Sequence, residues 1–288
     1  MLRGLYTAAA GMITQQRRHD TVTNNISNLN TPGYKQVTSV GRSFPEMLLY
    51  LTGIEGDKPA RVGAVNTGVF AEESLSIHLQ GDAMSTGRMS DFAIRSDLQV
   101  PGLQFDDSGK AVDENGNVVF QPQAFFTVQD PNGNIRYTRN GSFLVNAEGY
   151  LVMNDGSFVL GTDNNPIQFA PGVGLDRLSL TGDLRFVDEA GADAGVQLLI
   201  TVIENPNRLV QEGYGKFRLN DEDADLARAA EAGDRIEVRQ GWLERSNVDA
   251  AQAMVDLMSA LRAYESNQKV IQFYDQSLSK AVNEVGKV

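Results

Sequence analysis

Residues 246–285 read SNVDAAQAMVDLMSALRAYESNQKVIQFYDQSLSKAVNEV, and this stretch decides the architecture. Apolar side chains recur at Ala250, Met254, Leu257, Leu261, Tyr264, Ile271, Leu278, Val282 and Val285, in steps of threes and fours that only Gln268 and Asp275 interrupt. A period of about 3.5 residues marks a helix whose stripe packs on a partner helix. No glycine occurs from Val248 to Glu284, and Ser246 or Asn247 is the predicted N-cap. The same pattern also suits a single amphipathic helix lying on its own domain.

The other end of the chain carries a weaker copy. Leu2, Leu5, Ala9, Met12 and Ile26 share a heptad grid with the polar Gln16, His19 and Thr23, while Tyr6, Ile13, Val22 and Leu29 widen the apolar face. Thr31-Pro32-Gly33 cannot continue a helix, so the predicted end lies near Asn30. A seam this mixed in polarity makes no core by itself. It predicts a helix that is stable when packed beside others, with the C-terminal helix of the same chain as first partner.

Between the ends the period changes. Phe125 to Val128 and Ile135 to Thr138 flank Asp130-Pro131-Asn132-Gly133-Asn134, and Asn140-Gly141 leads into Phe143 to Val145. Both are read as hairpin turns, because Asn-Gly supplies the positive backbone angles that tight turns need. Further short strands are predicted at Tyr150 to Met153, Phe158 to Leu160, Leu178 to Leu180, Val196 to Ile203, Lys216 to Leu219 and Arg235 to Arg239. The predicted fold class is therefore α+β: N- and C-terminal helices pairing as a coiled coil around a mostly-β central domain.

Charge follows the same partition. The 288 residues carry 25 Lys+Arg and 37 Asp+Glu, a net −12, with residues 1–63 at +3, residues 241–288 at −1 and the middle at −14. Net acidity without a basic face argues against nucleic acid as partner. Without cysteine there is no thiolate nucleophile, disulfide or Cys-type zinc site, and His19 and His78 are too few for a three-histidine centre. No phosphate-binding loop, dinucleotide fingerprint, nucleophile elbow or zincin helix occurs. The loops Asp113-Glu114-Asn115-Gly116-Asn117 and Asp221-Glu222-Asp223-Ala224-Asp225 lack the glycine and twelfth-position glutamate of a calcium loop, and read as solvated turns. Catalytic, metal and cofactor residues are expected to be absent. No apolar run approaches the roughly 20 residues of a membrane span, and the N-terminus is a poor secretory signal.

Several of these segments also carry a family resemblance. Leu2 to Gly11 with Gln15-Gln16, Asn24-Asn25-Ile26-Ser27-Asn28 and Thr31-Pro32-Gly33-Tyr34-Lys35 resemble the N-terminal signature of the flagellar basal-body rod and hook proteins. Gln240-Gly241-Trp242-Leu243-Glu244-Arg245-Ser246-Asn247-Val248, with Leu257-Met258 and Arg262 to Asn267, resembles that family's C-terminal signature. Phe125-Phe126, Tyr137 to Phe143 and Gly149 to Val152 resemble its central domain, although Gln123-Ala124-Phe125-Phe126 departs from the usual Gly-x-Gly-Phe-Phe entry and residues 95–123 look inserted. The segment Ser43 to Leu49 and the length are most like a distal-rod protein of a Gram-positive bacterium.

The resemblance implies a structural subunit that polymerises into a hollow helical axial tube, transmits torque to the hook and encloses the export channel. It implies three parts: an axial helix and linker in 1–64, a β-rich domain in 65–240 and an axial helix in 241–288. Partners would be other copies of the chain, neighbouring rod and hook subunits and the flagellar type III export apparatus, which exports without a cleaved signal. A contact of the acidic β-domain with the cell wall stays open. The implied location is the basal body outside the cytoplasmic membrane. The expected assembly interface comprises Leu2, Leu5, Met12, Ile26, Leu29, Met254, Leu257, Leu261, Tyr264, Ile271 and Leu278. The motif residues expected to matter are Asn24, Asn25, Asn28, Pro32, Gly33, Tyr34, Asn140, Gly141, Gln240, Gly241, Ser246 and Asn247. A secreted β-domain adhesin, or a cell-wall carbohydrate-binding or hydrolysing protein, is the competing reading.

Overall fold

A computed structural model describes residues 2–51, 60–106, 109–113, 116–170, 173–188, 190–231 and 233–285. They form two compact units: residues 1–27, 37–75 and 249–288 make the first, and residues 28–36 and 76–248 the second.

The first unit is built on the two long helices. Helix α1 spans Leu2–Ser27 and α2 spans Ala250–Lys280, closing in a π-turn at Ala281–Val285. The α2 N-cap is Asp249, whose carboxylate accepts hydrogen bonds from the amides of Ala251 (2.8 Å) and Gln252 (3.1 Å). Those amides have no partner within the helix, so the cap rests on Asp249 rather than on the predicted Ser246 or Asn247. The helices run antiparallel. Gly4 lies under the Tyr274 hydroxyl, Gly11 lies by the Asn267 carboxamide, and Arg18 pairs with Asp256 at 3.0 Å. A Cβ at Gly11 would stand 3.0 Å from the Asn267 carboxamide nitrogen, so glycine leaves room for the Asn267 side chain.

This contact selects a different edge of α2 from the most apolar one. Ala253 and Ala260 are buried at 5% and 0% exposure, while Met254 and Leu261 remain 56% and 45% exposed. Leu257, Tyr264, Ile271 and Leu278 are half-buried. Two antiparallel ribbons complete the unit. Gly41–Ser43 pairs with Val69–Ala71, which packs on α1, and Met47–Leu51 pairs with Ala60–Val65 across an irregularity at Leu49/Tyr50. Thr7 on α1 donates from its hydroxyl to the Thr67 carbonyl at 3.0 Å.

The second unit is β-rich, and all its pairings between strands are antiparallel among the described residues. Its main sheet runs Phe143–Val145, Leu151–Met153, Phe158–Val159, Gln123–Gln129, Ile135–Thr138, Lys216–Arg218 and Val210–Gln211, with Ile200–Ile203 on the other half of Gln123–Gln129 and Ala227–Ala229 beyond it. A three-stranded sheet is formed by Leu178–Leu180, Arg185–Asp188 and Asp193–Gln197. Two pairs bring distant segments together: Phe92–Ser96 with Ile236–Gln240, and Ala83–Ser85 with Trp242–Glu244. The predicted strand Val196 to Ile203 is thus two strands in different sheets, broken at Leu198-Leu199.

The hairpin expected at residues 130–134 forms, with Phe126 opposite Thr138 and Gln129 opposite Ile135. The one expected at Asn140-Gly141 does not. Phe143–Val145 pairs forward with Leu151–Met153, and neither Asn140 nor Gly141 takes a positive φ. Glycine is needed at 141 for room, since a Cβ there would collide with the Phe92 carbonyl, which lies beside the Phe92 N–H···O=C Gly141 bond of 2.9 Å. The core of this unit gathers Phe92, Phe126, Phe143 and Phe186, all at 0% exposure, with Phe126 meeting Phe143 edge-on at 5.1 Å.

Candidate assembly elements and the buried meeting point of the motifs

The residues expected to mediate assembly divide by exposure. On α1, Leu5, Met12 and Ile26 are half-buried, and the Leu2 side chain lies outside the described residues. Leu29 is half-buried in the second unit. On α2, Met254 and Leu261 are exposed, together with Val255, Met258, Val270 and Phe273, which the periodicity did not single out. Leu261 and Tyr264 line a groove with Gln16, His19 and Asp20 of α1.

The motif residues hold the fold together locally. In the first unit Asn24 is exposed on α1, while Asn25 is buried and grips one residue by both its groups, donating to the Val37 carbonyl at 2.7 Å and accepting from the Val37 amide at 3.0 Å. In the second unit Asn28 accepts from the Thr31 hydroxyl at 3.1 Å and opens the turn that Pro32 and Gly33 complete. Gly33 has φ +68, and a Cβ on it would stand 2.5 Å from the Arg139 carbonyl carbon, so only glycine fits. Asn140 accepts from the Ser142 amide at 3.0 Å. Gln240 spans three chain segments, accepting from Leu180 N (2.9 Å) and donating to the carbonyls of Met89 (2.7 Å) and Leu178 (2.9 Å). Gly241 donates to Asp91 O at 2.7 Å, and the Ser246 hydroxyl accepts from Val248 N at 3.4 Å. Asn247 caps no helix. Its oxygen accepts from Gln36 N at 2.6 Å, and its nitrogen donates to the carbonyls of Ile77 (2.8 Å) and Leu79 (3.2 Å).

Three charged residues at the centre of these motifs were not singled out from the sequence. Lys35, Arg139 and Glu244 each come from a different motif, and their side chains are 1%, 0% and 1% exposed. Lys35 Nζ donates to Glu244 Oε1 at 2.7 Å and to the Leu79 carbonyl at 2.6 Å. Arg139 Nε lies 2.9 Å from Glu244 Oε2, and its Nη1 donates to the Ala124 carbonyl at 2.6 Å. The Gly81 amide donates to Glu244 Oε1 and the Gly33 amide to the Glu244 carbonyl, both at 2.8 Å. Tyr34 beside them is buried, and burial raises its hydroxyl above the ordinary range against the opposing bond with Gln211.

Two cations share one carboxylate, and their titration follows. Burial alone would raise Glu244, but the charges of Arg139 and Lys35, with the bonds from Lys35 and Gly81, hold its carboxyl below the usual range. Burial lowers Lys35 to about 8, because the attraction of Glu244 is opposed by Arg139. The arrangement positions chain segments; it leaves no charged group exposed to a substrate. No local pattern in the sequence marks Lys35, Arg139 and Glu244 as partners, since each lies in a different motif.

Two long terminal helices in the first unit, and a β-rich second unit whose own segments are held by an interior ion cluster, are the features of a structural protein. Comparison with known proteins agrees. The family described as Flagella basal body rod protein matches residues 5–35, Flagellar hook protein FlgE/F/G D1 domain matches residues 119–182, and Flagellar basal body rod FlgEFG protein C-terminal matches residues 239–284. The chain is 37% identical over 294 residues to the flagellar hook-basal body complex protein FlhO of Bacillus subtilis, covering 100% of both. It is 28% identical to the flagellar basal-body rod protein FlgG of Bacillus subtilis over 98% of this chain and 99% of that one. It is 30% identical to FlgG of Borreliella burgdorferi over 98% of each. The chain belongs to the flagellar basal-body rod and hook protein family, and is a structural, non-enzymatic subunit of the flagellar basal body. The Bacillus relatives agree with the Gram-positive character of the resemblance. Among the described residues no helix is long and apolar enough to cross a membrane.

Proposed function

We propose that the chain is a distal-rod subunit, which polymerises through its terminal helices into a hollow helical tube that transmits torque to the hook and encloses the export channel. The observation that carries this reading is the row of exposed Met254, Met258 and Leu261 along one edge of α2, in a chain aligned over its full length with hook-basal body and rod proteins. Antiparallel α1 and α2 then act as one coiled-coil leg, and the apolar edge left open in the monomer is buried against the legs of neighbours. A head-to-tail contact that does not close yields an open helical filament.

In this reading residues 1–64 and 241–288 serve as axial parts and 65–240, with its insertion near 95–123, as the outer domain. Leu2, Leu5, Met12, Ile26, Leu29, Met254, Leu257, Leu261, Tyr264, Ile271 and Leu278 form the axial interface, and the Asn, Gly and Gln residues of the motifs fix its geometry. The partners are further copies, adjoining rod and hook subunits and the type III export apparatus, with the cell wall outside the acidic domain. Nothing in the site favours the adhesin or carbohydrate-binding alternative. The test is Leu261→Asp in a motile strain, followed by basal-body isolation. Loss of motility and of assembled rods, with soluble protein still folded, is expected; normal rods and swimming would sink the reading.

A further inference from the structure

His78 is used by none of the motifs. Its ring is 7% exposed, 5.5 Å from the Phe217 ring and 6.2 Å from that of Phe125, and neither Nδ1 nor Nε2 has a hydrogen-bond partner. The charges that face it come from the buried cluster: Lys35 of the 28–36 segment and Arg139 following the strand Ile135–Thr138, both bound to Glu244. The other strands packed on the ring add none. Gln123–Gln129 carries no charged residue, and on Lys216–Arg218 the flanking charges are engaged elsewhere, Lys216 with Asp155 and Arg218 with Glu212. With a neutral imidazole the interior holds two cations and one anion. A proton on His78 would make it three cations to one anion, in a site that gives the imidazolium no acceptor.

We propose that His78 makes the docking of segment 28–36 acid-labile: Lys35 and Gly33 stay locked on Glu244 while the imidazole is neutral, and the segment is released when the ring takes a proton. Segment 28–36 is the covalent continuation of α1, so the lock decides whether that connection is held or loose. Burial, reinforced by the charges of Lys35 and Arg139, holds the imidazole down at about 3 against an ordinary 6.5. A depressed value in the closed state contributes stability that is complete above the open-state value and is lost as pH falls toward the closed-state one. The window is therefore pH 6.5 to 3, and within it the open-to-closed ratio rises by about tenfold per pH unit. Ordinary carboxylates begin to titrate below about pH 5 and Glu244 is held lower than they are, so the upper part of the window isolates the histidine.

The experiment measures hydrogen exchange of the 28–36 segment in the full chain at pH 7.0 to 5.0, corrected for intrinsic exchange, in the wild type and in His78→Phe. Protection in the wild type should fall by about tenfold per pH unit below about 6.5, and stay level in His78→Phe. A level wild type, or an equal slope in the variant, overturns the proposal. Should His78→Phe fail to fold, the ring signals of the wild type suffice: His78 must keep its neutral shift in the folded protein down to pH 5, and ordinary titration there overturns the lock.

Discussion

Phe92, Phe126, Phe143 and Phe186 of the second unit are fully buried, whereas Tyr6, Ile13, Met254, Met258 and Phe273 of the first unit are exposed while Ala253 and Ala260 occupy the helix contact. The second unit encloses a phenylalanine core and even three charges; the first makes its closest helix contact with small and polar residues and leaves large side chains of α1 and α2 outside. Burying apolar area is the main driving force of folding, so the exposed apolar side chains of the first unit are the surface that the proposed assembly contact would bury. Its helices pack closely through Gly4, Gly11, Ala253 and Ala260, which aligns them without using up Met254 or Leu261.

The contrast can be broken by substitutions on either side. Glu244→Gln keeps the shape but leaves Lys35 and Arg139 buried without their counter-charge, and should destabilise the second unit by about 3–5 kcal/mol in urea unfolding; a loss below about 1 kcal/mol would mean the cluster is solvated. Ala260→Leu forces a larger side chain into a site with 0% exposure, and should cost about 1–3 kcal/mol, read as lower helical ellipticity on heating with the β-rich unit melting as before. Asp249→Ala removes the α2 cap and should cost about 1 kcal/mol in the same melt. Leu261→Asp, on the exposed edge, should change monomer stability by no more than about 0.5 kcal/mol while abolishing concentration-dependent association in sedimentation. If it instead destabilises the monomer as strongly as Ala260→Leu, the apolar edge belongs to the monomer core.

Much of the arrangement was legible. Helix-breaking Thr31-Pro32-Gly33 sets the end of α1 within a few residues, and the glycine-free run from Val248 fixes the extent of α2. The Asp130 to Asn134 turn was readable because its chemistry is local: the Asp130 carboxylate accepts from the amides of Asn132 and Asn134, both at 2.9 Å. Asn140-Gly141 misled because the same dipeptide serves a close approach of Phe92, a long-range fact that no local preference encodes. Asn247 looked like a cap for similar reasons, yet its carboxamide satisfies backbone groups of Gln36, Ile77 and Leu79.

The sequence by itself determined two long terminal helices, a β-rich acidic middle and, through three motifs in order, the family, because periodicity, turn chemistry and motif spacing act over a few residues at a time. Only the tertiary structure decided which stripe of α2 meets α1, and that Lys35, Arg139, Glu244 and His78 share one interior. A helix reveals its most apolar edge in one dimension, but the edge that touches a partner is set by which side chains find room there, here Tyr274 over Gly4 and Asn267 by Gly11, with Ala253 and Ala260 buried. A buried ion cluster likewise has no local signature, since each charge is costly alone and becomes tolerable only when segments far apart in the chain are folded onto one another.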